Sequence, residues 1–151
     1  MRGLPEPESV MAINDMLMYW PGRIKFAYSH DERQLVHWKE GRRRCHTNAF
    51  GSVGSLHTIE PCRVSGVHSW PYPTMGSSSL AACHVALSMG FDEVLLIGCP
   101  LDDSGHFYDP PQVKSNFMNE APTDIWTKAH REFFKGRVTS QSGRSREILE
   151  C

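Results

Sequence analysis

The chain has 151 residues, with 16 Lys and Arg against 17 Asp and Glu, a formal net charge of −1, 40% hydrophobic residues and 22% charged ones. A chain of that length supports one core that buries about two-thirds of the unfolded surface, so a single domain spanning 1–151 is expected. The near-neutral balance argues against wholesale nucleic-acid binding and no apolar run is long enough to span a membrane; Met1 to Glu8 lacks a signal peptide's apolar stretch, so a cytoplasmic location is expected.

Val10-Met-Ala-Ile13 is a short apolar run, and Ile24-Lys-Phe-Ala-Tyr28 alternates as a strand does. Between them and the middle of the chain, Asp31 can cap a helix that presents Leu35 and Trp38 on one face and that Gly41 would stop. Arg42-Arg-Arg44 is the only basic cluster and reads either as a solvated end or as a phosphate clamp. Residues 42–75 carry scattered Gly, Ser, His and Pro, with an extended piece over Arg63–Trp70; Gly51-Ser-Val-Gly-Ser55 lacks a phosphate loop's lysine and reads as a turn.

The most organised stretch begins at Ser77-Ser-Ser79, any of which can cap a helix that is apolar nearly all round from Leu80 to Met89 and ends at Gly90. Val94-Leu-Leu-Ile97 follows without alternation, the pattern of a strand covered on both faces in a parallel sheet. The segment Gly98–Asp109 then turns polar, and in open parallel sheets ligands sit outside the carboxyl ends of strands, where this loop emerges. A last helix from Thr123 to Lys135 carries Ile125, Trp126, Ala129 and Phe133 inward and leads to a strand at Val138. The expected fold is therefore α/β, with helices flanking a Rossmann-like, mostly parallel sheet.

Three serines at a helix start offer hydroxyls, free N–H groups and the positive end of the helix dipole, which suits a phosphate or carboxylate; simple N-capping explains the same residues. Asp102, Asp103, His106, Tyr108 and Asp109 could hold Mg²⁺ with substrate phosphates, do acid/base chemistry at His106, or form a solvated loop. The other seven histidines have no ligand spacing and no metal site is assigned; the five cysteines form no paired motif and read as reduced thiols.

Taken in order, these residues resemble the bacterial lipooligosaccharide sialyltransferases and the wider group of related Rossmann-like bacterial and phage proteins. Met11-Ala-Ile-Asn14 resembles a strand ending in a nucleotide-contacting asparagine. Ser77–Ser79, Ser88-Met-Gly-Phe91, Asp92-Glu-Val94 and Thr123-Asp-Ile125 resemble further elements of that family. The family's opening strand and Gly-rich turn have no counterpart, so the sheet is expected to lack its first strand. Asp102 stands where the family has a second tyrosine, and Asn119 where it has a catalytic histidine.

The resemblance implies a nucleotide-dependent transferase with a nucleotide-sugar donor such as a CMP-sugar. Asn14 and Ser77, Ser78 and Ser79 would bind the nucleotide, Tyr108 would steady the leaving phosphate, and His106 would stand in as base beside Asp102. Two other readings stay open. One is a Mg²⁺-dependent diphosphate-transferring enzyme using Asp102 and Asp103; the other is a non-catalytic binding protein whose exposed sheet a partner or a second copy covers, giving a homo-oligomer.

Overall fold

Three apolar residues, Met11–Ile13, form strand β1, which pairs in parallel with β2 (Ile24–Tyr28). The computed structural model describes residues 9–46, 49–72, 76–102, 110 and 120–150. The chain divides into two compact units, Met1–Thr74 and Met75–Cys151.

In the first unit the order is β1, α1 (Met16–Tyr19), β2, α2 (Glu32–Cys45), a 3-10 turn at Ala49–Gly51, β3 (Val53–Ile59) and β4 (Val67–Trp70). All four strands run parallel in the order β1-β2-β3-β4. Because side chains alternate across a strand, the register row Ala12, Ala27, Leu56, Val67 shares one face. That face forms a core with Leu17 of α1 and Leu35 of α2, and Trp38 packs beside it. The next row, Tyr28, His57 and His68, points to the opposite face.

Asp31 caps α2 as expected, its carboxylate accepting from the N–H groups of Arg33 and Gln34 at 3.1 and 3.2 Å. Gly41 does not stop the helix, which continues to Cys45. A Cβ at Gly41 would lie 2.8 Å from Met18 Sδ, so this glycine gives α1 room to approach instead of a left-handed turn. The extra turn delivers Arg42 into the interior. Its guanidinium donates to the carbonyls of Phe50 (2.8 Å), Leu17 (3.0 Å), Trp20 (2.8 Å) and Gly22 (2.6 Å), and the residue is fully buried. Arg42 is therefore a structural clip, which removes it from a phosphate clamp; Arg43 and Arg44 remain exposed.

The middle of the chain is more regular than its composition implies. Val53-Gly-Ser55, read as a turn, opens β3, and a Cβ at Gly54 would overlap the Lys25 carbonyl of the neighbouring strand. Glycine here allows close strand approach.

The second unit contains α3 (Ser78–Ser88), β5 (Val94–Leu96), α4 (Glu120–Ala129), a π-helical turn at His130–Phe134, β6 (Val138–Ser140) and α5 (Gly143–Leu149). β5 and β6 pair in parallel. Every residue of α3 from Leu80 to Leu87 is buried, as its all-round apolar sequence predicts. Leu80, Cys83 and Leu87 form a core with Leu96, Trp126, Phe134, Val138 and Leu149.

Two expectations fail here. Ile125 is 40% exposed, because the inward face of α4 is the one that carries Trp126 and Ala129. β5 is not covered on both faces: Leu95 is 42% exposed and Ile97 51%. Among the described residues each unit is α/β, with strands that pair in parallel and flanking helices, consistent with a Rossmann-like, mostly parallel sheet. No helix among the described residues is long and apolar enough to cross a membrane.

Candidate functional site

In each unit, taken separately, polar groups lie where a parallel strand ends at its carboxyl edge. Asn14 follows β1 directly in a left-handed conformation (φ 55°), which Asn tolerates better than most residues, and its N–H donates to the Tyr28 carbonyl at 2.9 Å. The buried Ser29 hydroxyl donates to Asn14 Oδ1 at 2.9 Å and accepts from the Asp31 N–H at 3.1 Å. In this arrangement the Asn14 amide turns its oxygen to Ser29. Its oxygen is used, and its NH₂ donors have no partner among the described residues.

In the second unit, Ser77 is the N-cap of α3. Its hydroxyl accepts from Leu80 N–H at 3.4 Å and shares a hydrogen bond with Ser79 Oγ at 2.9 Å, and the residue is buried. Ser77 is thus used in capping, while Ser78 and Ser79 are half-buried. Ser79 also reaches the thiol of Cys99, just beyond β5, so the helix start and the strand's carboxyl end are adjacent. Burial pushes the Cys99 thiol up, and the Ser79 hydrogen bond partly offsets it.

The turn after β5 is fixed from below. Ser145 Oγ donates to the Cys99 carbonyl at 2.6 Å, and Ser145 N–H donates to the Pro100 carbonyl at 3.1 Å. Gly143, at φ 63°, touches the same proline so closely that a Cβ would come within 2.5 Å of its oxygen. Asp102 is half-buried and already engaged within the chain. Asp103, His106, Tyr108, Asp109 and Asn119 lie outside the described residues. Among the described residues no group of three or more His, Cys, Asp or Glu could hold a metal ion.

Sequence reasoning missed one constellation, on the sheet face of the first unit that carries Tyr28 and His57. His57 is buried between Ser55, whose Oγ lies 2.7 Å from Nε2, and Trp70, whose indole N–H donates to Nδ1 at 3.1 Å. An indole N–H can only donate, so Nδ1 is the acceptor and the neutral ring carries its proton on Nε2, donating to Ser55. This is the reverse of a nucleophilic dyad, in which Nε2 must accept the serine proton. Burial, with the stacked His68 ring (5.2 Å) adding to it, pushes His57 down to about 4. The i, i+2 spacings Ser55-x-His57 and His68-x-Trp70 were the available signal, since each pair shares a face once the segment is a strand.

No protein-family model matches the chain, and neither a curated protein nor a solved structure matches it.

Proposed function

We propose that the chain is a nucleotide-binding, transferase-related protein, with glycosyl transfer from a nucleotide-sugar such as a CMP-sugar as its reaction class. The observation that carries this reading is the Asn14 amide. It sits at the carboxyl edge of a parallel sheet, clamped through its oxygen by Ser29, with its donors left for a base or ribose. Taken by itself, the second unit offers a separate candidate for an anion: capping leaves the N–H groups of Ser78 and Ser79 at the start of α3 without main-chain partners among the described residues. Tyr108 and His106 keep the roles of leaving-group support and base within this proposal, and Asp102 keeps its proposed catalytic role.

The test is thermal denaturation with cytidine, uridine, guanosine and adenosine nucleotides, with and without Mg²⁺. Selective stabilisation by a cytidine nucleotide is expected, amounting to about 2.7 kcal/mol at a hundredfold excess over Kd. Asn14→Asp keeps the oxygen that Ser29 binds and the tolerance for a left-handed backbone, but removes the NH₂ donors. It should fold and lose the stabilisation. A flat response to every nucleotide defeats the proposal. Stabilisation that requires Mg²⁺ would transfer the assignment to a diphosphate-transferring enzyme using Asp102 and Asp103.

A second reading rests on Asn119, an amide that cannot take up a proton where the resembled family has its histidine. A non-catalytic nucleotide-binding protein would show the same thermal shift with no turnover of a CMP-sugar.

A further inference from the structure

The second unit holds a cleft of about 380 Å³ at the end of α4, the π-helical turn and α5, lined by Thr127, His130, Arg131, Lys135, Gly136 and Ile148. Gly136 and Arg137 lead directly into β6, so the cleft lies at the amino-terminal end of the β5–β6 pair. Ser79 and Cys99 lie at the other end, beyond the carboxyl terminus of β5.

A widened turn builds one side of it. Lys135 N–H donates to the His130 carbonyl at 2.9 Å, five residues back instead of four. Lys135 closes that turn in a left-handed conformation (φ 49°, ψ 46°), where glycine or asparagine costs less than lysine. The helix dipole favours a cation at this end, which Arg131 already supplies. Local stability therefore gives no reason for a second cation at a strained position.

The donors around the cleft are uncommitted. Arg131 and Lys135 are exposed, and neither side chain has an ion pair or hydrogen bond among the described residues. The Gly136 N–H has no main-chain partner among them. His130 Nδ1 is buried without a partner; a bare acceptor is better tolerated there than a buried N–H, so the neutral ring carries its proton on Nε2 and can donate outward. Thr127 Oγ1 already donates to the Thr123 carbonyl at 2.9 Å. No carboxylate belongs to the described lining, and Ile148 supplies an apolar wall.

We infer that this cleft is a binding site for the phosphate group of a small organic phosphomonoester. Two cations and two further N–H donors suit a dianion with three terminal oxygens better than a carboxylate with two. Ile148 meets the organic part, and the volume falls at the small end of ligand clefts. The site uses neither Asn14 nor the start of α3, so it stands apart from the nucleotide proposal.

The test is titration of the full chain with inorganic phosphate and with phenyl phosphate at constant ionic strength, followed by nitrogen-15 NMR. The Gly136 amide and His130 imidazole signals should move and saturate, with phenyl phosphate the tighter ligand, while chloride leaves them in place. Arg131→Gln and Lys135→Asn should each weaken binding about fivefold. Asparagine keeps the left-handed turn, and circular dichroism checks that both variants fold; the titration of the unaltered chain stands regardless. Asn14→Asp should bind phosphate as the unaltered chain does. Signals that do not move, binding that the double variant leaves unweakened, or binding to phosphatidic acid vesicles without binding to phenyl phosphate would overturn the inference.

Discussion

At the scale of single residues, two side chains do work that their names conceal. Arg42 sits in a run of three arginines, where composition suggests a solvated cluster, yet its guanidinium spans carbonyls from α1, from the turn after it and from the 3-10 segment. A fork of fixed N–H donors reaches all four oxygens; an ammonium on a flexible stem cannot. Arg42→Lys should therefore cost roughly 2 kcal/mol or more in urea denaturation, because carbonyls would be left buried without donors. Arg43→Lys, at an exposed position, should change the midpoint little. His57 makes the second case. Nitrogen-15 spectra of the imidazole should show the proton on Nε2 at neutral pH, and Trp70→Phe, which removes the donor to Nδ1, should release that tautomer preference.

At the scale of elements, legibility followed how completely each segment's pattern was set by its own residues. β1, β2 and α3 were readable because apolar runs and capping residues lie within them. β3 was not, since Gly54, Ser55 and His57 are ordinary turn or surface residues that only neighbouring strands hold extended, and β4 was read only as part of the longer extended piece over Arg63–Trp70. Helix α5 was missed because Gly143-Arg-Ser-Arg-Glu-Ile-Leu149 shows scarcely two turns of pattern. Its placement depends on Gly143 lying against Pro100. Gly143→Ala combines a strained positive φ with overlap of a backbone oxygen, so it should destabilise the second unit by about 2 kcal/mol or more, measured by thermal unfolding. The candidate site was legible in the same uneven way. Asn14 and the serines stand out by type and position, but the Ser29 bond that aims Asn14 joins residues fifteen apart and has no sequence signature.

At the scale of the whole molecule, the titration of buried histidines gives stability a definite slope. Burial lowers His30, His57 and His84, so near pH 5 the unfolded chain binds more protons than the folded one. Stability should be fully present above about pH 6.5, the unfolded value. It should fall as pH drops toward the folded value of about 4 at His57. The His57 share of that loss is on the order of 2–3 kcal/mol. Urea midpoints at pH 7 and pH 5 measure the slope, and His57→Gln should flatten it; a midpoint that rises on acidification would contradict the assignment.

The four described thiols span a gradient of concealment: Cys45 exposed, Cys62 and Cys99 intermediate, and Cys83 enclosed in the core of the second unit. A membrane-neutral alkylating reagent added in a time course would consequently act as a stopwatch. Cys45 marks the instant of mixing, while each later adduct on Cys83 records one excursion in which that core came apart, so the breathing of a single element is read by mass alone.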